Sequence, residues 1–309
     1  MKVIAPGKVL FTGAYAVIEG APAIVIAVDR YAKADSTARI ASPSAEIRAA
    51  FGSELAPKVD SMPLYESGTK IGLGSSAAAL AAALGADAAS RGEDLLNRAT
   101  RDRLFEQARA AHAAGQKGGS GVDIAASIYG GVNRYQVAKD GTANIEPFAL
   151  PESLVFSVYW SGVSARTVDL RAAVDALRSQ SSVVWNAIFR DLSGESFAAC
   201  DALAAGDVPK FILAATRFEM ALAKLGDAAN APIVPPSFRA LNAIAQRESA
   251  VFFPSGAGGG DIGIFLGTRC ESVTFKEEAK HLDMRRIPLH IDSLGVRVVS
   301  SRSPSAKVN

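Results

Sequence analysis

The run Lys70-Ile71-Gly72-Leu73-Gly74-Ser75-Ser76-Ala77-Ala78 is the most informative stretch of this chain. It joins two closely spaced glycines to a pair of serines and then to an alanine-rich segment, which predicts a helix over about residues 76–91. A loop without bulky side chains that opens a helix directs free backbone N–H groups, and the positive end of the helix dipole, at one point. The run therefore predicts a binding site for a chain of phosphates at the start of this helix.

Two other types of glycine loop and a purely structural role compete with this interpretation. Gly72, Gly74 and Ala77 satisfy the loose dinucleotide fingerprint, but residues 59–69 before them are polar and turn-forming, whereas that fingerprint needs a buried apolar strand. A Walker-type loop is excluded because no Gly-Lys-Ser or Gly-Lys-Thr ends the segment. A serine-capped helix after a glycine turn, with no ligand, stays open on this segment alone.

Two further glycine-rich segments lie later in the chain. Gly118-Gly119-Ser120-Gly121-Val122-Asp123 precedes an apolar run, and its aspartate is either a functional carboxylate or a helix N-cap. Residues 254–261, Pro-Ser-Gly-Ala-Gly-Gly-Gly-Asp, separate two strand-like apolar runs. So many glycines make a poor hairpin connection and favour a close approach of the backbone to a ligand.

Hydrophobic periodicity around these loops predicts an α+β chain. The predicted strands are 2–4, 22–30, several short strands within 32–47, 130–135, 137–148, 154–160, 251–253, 262–266 and 296–300. The predicted helices are 76–91, 95–114, 168–179, 182–205, 210–225 and 237–247. Because the predicted elements become mostly helical after Pro151, we expect two domains, residues 1–150 and residues 151–309.

Composition restricts the class of protein. The 309 residues are 49% hydrophobic and 21% charged, which is typical of a globular protein with one large or two medium domains. The net charge of +2 is too small for a surface that binds nucleic acid or anionic membrane. The two cysteines form no metal-binding spacing, and no run resembles a signal peptide or a membrane span. We expect a cytoplasmic protein that binds neither nucleic acid nor membrane.

Together the three loops resemble the motifs of the GHMP kinases, the superfamily of galactokinase, homoserine kinase, mevalonate kinase and phosphomevalonate kinase. Residues 6–15, Pro-Gly-Lys-Val-Leu-Phe-Thr-Gly-Ala-Tyr, are similar to the first motif, residues 72–78 to the second, and residues 255–261 to the third. The resemblance spans nearly the whole chain. It implies a two-domain α+β fold, with an N-terminal domain like domain 2 of ribosomal protein S5, a ferredoxin-like C-terminal domain, and an active site in the cleft between them.

Within the superfamily, the phosphomevalonate kinases are the most similar. Lys70 before the second motif and the segments 112–126 and 160–167 resemble theirs. Mevalonate kinases usually have a metal-binding glutamate four residues before the histidine equivalent to His112, where this chain has Ala108. The resemblance implies ATP and Mg²⁺ as cofactors and phosphomevalonate, a small anionic molecule, as the acceptor. We expect a monomer or a homodimer.

The resemblance also implies a set of site residues. Asp123 is the catalytic candidate that orients the acceptor, and Lys8 is the candidate that pairs with it and stabilises charge on the transferred group. The predicted cradle for the ATP phosphates is Lys70, Gly72, Leu73, Gly74, Ser75, Ser76 and Ala77, with Ser75 and Ser76 as the metal ligands. The predicted acceptor-binding residues are Ser120, Gly121, Lys117, Arg134, Arg166, Ser255, Gly256, Ala257, Gly258 and Gly259.

Three positions depart from the family's pattern. The first motif usually has glutamate where this chain has Ala14, and the family tends to have lysine at the positions of Val163 and Phe253. Three functions are therefore open: a phosphomevalonate kinase, a related kinase that acts on mevalonate, homoserine or a sugar, or an impaired nucleotide-binding paralogue that acts as a sensor or scaffold. We favour the first, because the retained Lys8, Ser75, Ser76 and Asp123 argue against an impaired paralogue and Ala108 argues against a mevalonate kinase.

Overall fold

The structure, a computed structural model, describes residues 1–41, 43–52, 55–116 and 119–299. The helices are α1 (Ala45–Phe51), α2 (Ser75–Ser90), α3 (Arg98–Gln116), α4 (Val122–Tyr129), α5 (Thr167–Gln180), α6 (Ser182–Ala204), α7 (Val208–Ala228), α8 (Pro236–Arg247) and α9 (Val273–His281). The strands are β1 (Lys2–Thr12), β2 (Ala23–Ile40), β3 (Ala56–Asp60), β4 (Tyr65–Glu66), β5 (Thr69–Lys70), β6 (Val132–Val137), β7 (Ala143–Phe148), β8 (Val155–Trp160), β9 (Val251–Pro254), β10 (Ile262–Gly267), β11 (Arg285–Ile287) and β12 (Arg297–Val299). Short 3₁₀ helices occupy Ala16–Glu19 and Met62–Leu64.

The first sheet has the order β12-β1-β2-β6-β7, with β3 paired to β2, and all of its pairs are antiparallel. The alanine-rich α2 packs on β1 and β2. Small side chains allow this close approach: a Cβ on Gly85 would lie 3.1 Å from a methyl carbon of Val3. Because α2 is apolar on nearly every side, it is stable only as a buried helix, and its burial fixes the direction of its N-terminus.

The second sheet has the order β11-β8-β10-β9 and is also antiparallel. Aromatic side chains fill its core, where the ring of Phe252 lies 5.4 Å from that of Phe275. Strands β9 and β10 are neighbours in this sheet, so the prediction that the glycine segment between them is a poor hairpin connection is wrong. The connection is possible because residues 255–261 form a long loop, with several glycines at positive φ, rather than a tight turn.

The mixture of helices and antiparallel sheets confirms the predicted α+β class. The division into domains 1–150 and 151–309 stays a prediction. The last strand, β12, pairs with β1, where Lys2 lies opposite Val299. Among the described helices, none combines the length and the hydrophobicity that crossing a bilayer requires.

Several predicted elements differ from the observed ones. Strand β1 continues to Thr12 instead of ending at Ile4, because irregularities in its pairing with β2 absorb the Pro6-Gly7 step. Strand β2 is a single long strand, and residues 45–47, at the end of the stretch predicted to hold short strands, form the start of α1. Helix α9 and strands β3, β4, β5 and β11 were not predicted.

A buried carboxyl on α7 makes the stability of the fold depend on pH. Glu219 is 4% exposed, and burial raises its pKa from 4.5 to about 7, although a hydrogen bond with Asn242 opposes the rise. Since the folded-state pKa lies above the unfolded one, this group lowers the free energy of unfolding as pH rises from about 4.5 to about 7. We expect the free energy of unfolding of the wild type to fall by about 2 kcal/mol through this group between pH 5 and pH 8. Glu219→Gln should remove that decrease.

Denaturant unfolding at the two pH values measures this difference. Glu277→Gln, at an exposed glutamate of α9, is the control and should keep the wild-type pH dependence. An equal pH dependence in the wild type and Glu219→Gln would contradict the prediction.

Candidate active site

A cavity of about 460 Å³ opens where the three glycine loops meet the start of α5. The predicted site residues that line it are Lys8, Lys70, Gly72, Gly74, Ser75, Ser76, Ala77, Ser120, Gly121, Asp123, Ser255, Gly256 and Ala257. The cavity therefore joins segments from the beginning, the middle and the last quarter of the chain.

The second glycine loop presents the N-terminus of α2 to the cavity. Gly74 is the N-cap, in the left-handed conformation at φ 74°, and Ser75 is the first helical residue. The alternative of a serine-capped helix is therefore wrong. A glycine N-cap has no side chain with which to bind the first N–H groups of α2, so these donors are available to an anion. The preceding strand β5 has two residues, unlike the buried strand of a dinucleotide-binding fold.

Lys8 and Asp123 lie directly beside this loop. Lys8 Nζ is 3.6 Å from Asp123 Oδ1, and the two side chains are 8% and 31% exposed. Asp123 is in the first turn of α4, whose N-cap is Gly121, so the N-cap interpretation of Asp123 is wrong. A Cβ on Gly74 would lie 2.9 Å from Lys8 Cγ and 3.5 Å from Asp123 Oδ2. The charged pair and the second glycine loop thus share one space.

Backbone contacts hold the lysine and the aspartate in place. Lys8 N donates to the carbonyl of Leu73 at 2.9 Å, which fixes β1 against the second glycine loop. Ser127 Oγ donates to the carbonyl of Pro6 at 2.8 Å, which fixes α4 against the same strand. Both side chains therefore extend from rigid elements, as a site that must position reactants requires.

The third loop is anchored to the N-terminal segment. Leu10 N donates to Ser255 Oγ at 2.8 Å in a buried hydrogen bond, and Tyr15 Oη donates to the carbonyl of Ala257 at 2.6 Å. Burial raises the pKa of Tyr15 far above its usual range, so the hydroxyl stays a donor. A Cβ on Gly256 would lie 3.7 Å from Lys8 Nζ, which places this loop at the ammonium end of the lysine side chain.

Asp261, at the end of the third loop, is a cavity residue for which no role was predicted. Burial raises the pKa of its carboxyl, and a hydrogen bond from Ala165 N at 3.1 Å and the charges of Lys8 and Lys70 oppose the rise. A Cβ on Gly72 would lie 2.5 Å from Asp261 Cβ, so the second and third loops touch here. Its position after a glycine run was the signal that could have drawn attention to it.

Other lining residues were not predicted. They are Leu10, Ala14, Tyr15, Val17, Ile18, His112, Gly119, Val122, Ser164, Ala165, Thr167, Val168 and Arg171. Most are apolar or small and gave no chemical signal. His112 and Arg171 are exceptions: His112 lies in a segment that resembles the family but was given no role, and the helix phase of Arg171 could not be fixed from the sequence alone.

Of the three basic residues that were predicted to bind the acceptor, two do not line the cavity and the third is not described by the structure. Arg134 on β6 faces Glu146, with 3.6 Å between Nη1 and Oε2, and does not line the cavity. Arg166 is 84% exposed, pairs with Asp169 at 3.1 Å, and does not line the cavity either. Lys117 lies outside the described residues.

Three further predicted residues pack behind the cavity wall. Leu73 has a fully buried side chain and contributes its carbonyl to the fold. A Cβ on Gly258 would lie 2.0 Å from the carbonyl oxygen of Ile233, and one on Gly259 would lie 2.8 Å from Leu170 Cδ1. These glycines allow the third loop to pack tightly and do not line the cavity.

The three positions that depart from the family's pattern lie in different places relative to the cavity. Ala14 lines the cavity, whereas Val163 and Phe253 do not. Val163 is 59% exposed, and Phe253 is buried with its ring 6.2 Å from that of Phe218.

The cavity offers few protein ligands for a metal ion. Within the described ranges, no three side chains of the His, Cys, Asp and Glu types form a metal-binding group. The hydroxyls of Ser75 and Ser76 and the carboxylates of Asp123 and Asp261 do line the cavity. This oxygen donor set fits Mg²⁺, which is usually bound through one or two protein oxygens together with waters and substrate phosphates.

Comparisons with known proteins agree with this arrangement. Residues 46–131 match the model of the GHMP kinases N terminal domain. A phosphomevalonate kinase from Streptomyces sp. (strain CL190) is 29% identical, over 85% of this chain and 88% of the relative.

Solved structures share the fold over nearly the whole chain. Streptococcus pneumoniae phosphomevalonate kinase, in complex with phosphomevalonate and AMPPNP, superposes with a TM-score of 0.78 at 20% identity, over 94% of this chain and 99% of that one. L. major mevalonate kinase, in complex with R-mevalonate, superposes with a TM-score of 0.63 at 19% identity, over 91% of this chain and 90% of that one. With its glycine loops gathered around one cavity and these relatives, the chain is similar to the GHMP kinases, a superfamily of small-molecule kinases, and among them to the phosphomevalonate kinases.

Proposed function

We propose that this kinase transfers the terminal phosphate of ATP to phosphomevalonate, giving ADP and diphosphomevalonate. The observation that carries the proposal is the placement of Lys8 and Asp123 against the glycine-capped N-terminus of α2, in a cavity that also holds Lys70. The relative named phosphomevalonate kinase and the similar structure with phosphomevalonate and AMPPNP support this choice of substrates.

The triphosphate of ATP would lie against the second glycine loop. ATP brings about four negative charges, so its site needs backbone donors and cationic side chains together. The first N–H groups of α2 supply the donors, and Lys8 and Lys70 supply positive charge. Gly74 leaves room for the phosphates beside Lys8 because it has no side chain, and Gly72 allows the loop to pack against Asp261.

Mg²⁺ would be held by the hydroxyl of Ser75 or Ser76 beside the phosphates, with Asp123 and Asp261 as the nearby carboxylates. When bound, it would neutralise charge on the phosphates of ATP.

The acceptor determines what Asp123 must do. A phosphate monoester has a second pKa near ~6 and is largely dianionic at neutral pH, so it needs cations more than a strong base. Asp123 would then hold Lys8 in place and orient the acceptor, while Lys8 stabilises the charge on the phosphoryl group during its transfer. With a hydroxyl acceptor, Asp123 would instead have to take up a proton.

A coupled assay of ADP release tests the proposal. We expect turnover of phosphomevalonate to exceed that of mevalonate, homoserine and galactose by at least about tenfold. Preference for another of these acceptors would overturn the choice of phosphomevalonate and keep the kinase. ATP binding without turnover of any acceptor would favour the sensor or scaffold function. The cytoplasmic location and the monomeric or homodimeric state stay predictions.

A further inference from the structure

We propose that Arg171 on α5 binds the carboxylate of the acceptor, at the opposite end of the molecule from its reacting phosphate. This inference rests on the proposed function and deepens it, because it names a residue that determines acceptor specificity.

The phase of α5 directs Arg171 into the cavity. Arg178 pairs with Glu19 of the 3₁₀ helix at 3.1 Å, so this side of α5 faces that helix. Arg171 precedes Arg178 by seven residues, about two helical turns, and therefore lies on the same side of α5. It lines the cavity together with Ile18 of the 3₁₀ helix.

The guanidinium of Arg171 is a cation without a protein partner. Arg166 and Arg178 on the same helix region pair with Asp169 and Glu19. Arg171 is half-buried, and among the residues that the structure describes its side chain has neither an ion pair nor a hydrogen bond. A partly desolvated charge without a partner is unfavourable, and an anionic ligand in the cavity would remove this cost.

The position of Arg171 selects one end of the acceptor. The reacting phosphate must lie near the terminal phosphate of ATP, at Lys8 and Asp123. Arg171 comes from α5, and the same lining includes the apolar Val168 of α5 and the apolar Ala14 and Ile18 in and just before the 3₁₀ helix.

Phosphomevalonate matches this order of groups. It has a phosphate at one end, a branched carbon chain in the middle and a carboxylate at the other end. A guanidinium is the side chain best suited to a carboxylate, because two parallel N–H donors match its two oxygens. The apolar wall would contact the carbon chain, and Arg171 would fix its far end.

The test compares Arg171→Gln and Arg171→Lys with Arg190→Gln, a change at an exposed arginine of α6 outside the cavity lining. The Michaelis constants for phosphomevalonate and ATP are measured for each protein. The inhibition constant of 3-hydroxy-3-methylbutyl phosphate, which is phosphomevalonate without its carboxylate, is measured as well.

We expect Arg171→Gln to raise the Michaelis constant for phosphomevalonate about 10- to 100-fold, as the loss of a hydrogen-bonded charge pair predicts. The constant for ATP and the inhibition constant of the decarboxylated analogue should stay within about twofold. Arg171→Lys should recover part of the loss, and Arg190→Gln should behave as the wild type.

The possible failures are distinguishable. Wild-type protein that ignores phosphomevalonate would overturn the proposed function and this inference with it. Active wild type with an unchanged acceptor constant in Arg171→Gln would overturn the inference alone. An equal loss for phosphomevalonate and the analogue would assign Arg171 to the phosphate, and a raised constant for ATP would assign it to the nucleotide; either result overturns the carboxylate assignment. Melting temperatures check folding, and Arg171→Lys provides the comparison if the glutamine variant is unstable.

Discussion

Replacing Asp123 with asparagine is expected to lower turnover by about two orders of magnitude or more, while the affinity for ATP stays within about threefold of the wild type. Asparagine keeps the size of the side chain and removes its charge. Lys8, whose side chain is 8% exposed, would then lose the carboxylate 3.6 Å away that holds its ammonium in place. Its ammonium would move or be less well ordered, so the charge on the phosphoryl group during its transfer would be less well stabilised.

The two residues of this pair are also expected to depend strongly on each other. Lys8→Met should reduce turnover by a similar factor, and the double variant should be little worse than the more damaging single one, because the pair acts as a unit. Asp201→Asn, at an exposed aspartate of α6, is the control for the loss of one carboxylate. Turnover of Asp123→Asn within about threefold of the wild type would remove Asp123 from the mechanism, since even tenfold requires ~1.4 kcal/mol of barrier.

Local signals accounted for the parts of the fold that were predicted well. The glycine spacing and the run of strong helix formers placed the start of α2 within one residue, at Ser75 instead of Ser76. Strand β1 was cut short because proline and glycine at positions 6 and 7 usually end a strand. The neighbouring β2 accommodates them by a shift in register, which depends on tertiary pairing and leaves no local trace in the sequence.

The candidate site shows the same division. Lys8 and Asp123 come from motifs far apart in the sequence, and the fold places them 3.6 Å apart. Arg166 was predicted to bind the acceptor and Arg171 was given no role, because the sequence does not determine the phase of α5 to within one turn. The structure begins α5 at Thr167, leaves Arg166 exposed at its N-cap and directs Arg171 to the cavity.

Replacing Gly74 with valine is expected to weaken ATP binding at least about 100-fold. Two effects of the new side chain must be separated. A valine at φ 74° is strained wherever it occurs, because β-branched residues avoid the left-handed region. In addition, its Cβ would lie 2.9 Å from Lys8 Cγ and 3.2 Å from Lys8 Cε, in the space between the phosphate loop and the lysine.

Gly206→Val separates these effects, because Gly206 has φ 70° and a Cβ added there would meet no atom within 4 Å. Both variants should lose stability through backbone strain, which melting temperatures measure. Only Gly74→Val should lose nucleotide binding by calorimetry, since only there does the side chain fill the phosphate site and displace Lys8. ATP affinity equal to that of the wild type in Gly74→Val would show that the phosphates do not lie against this loop. The assignment of residues 72–77 as the phosphate cradle would then be wrong, even if the protein were still a kinase.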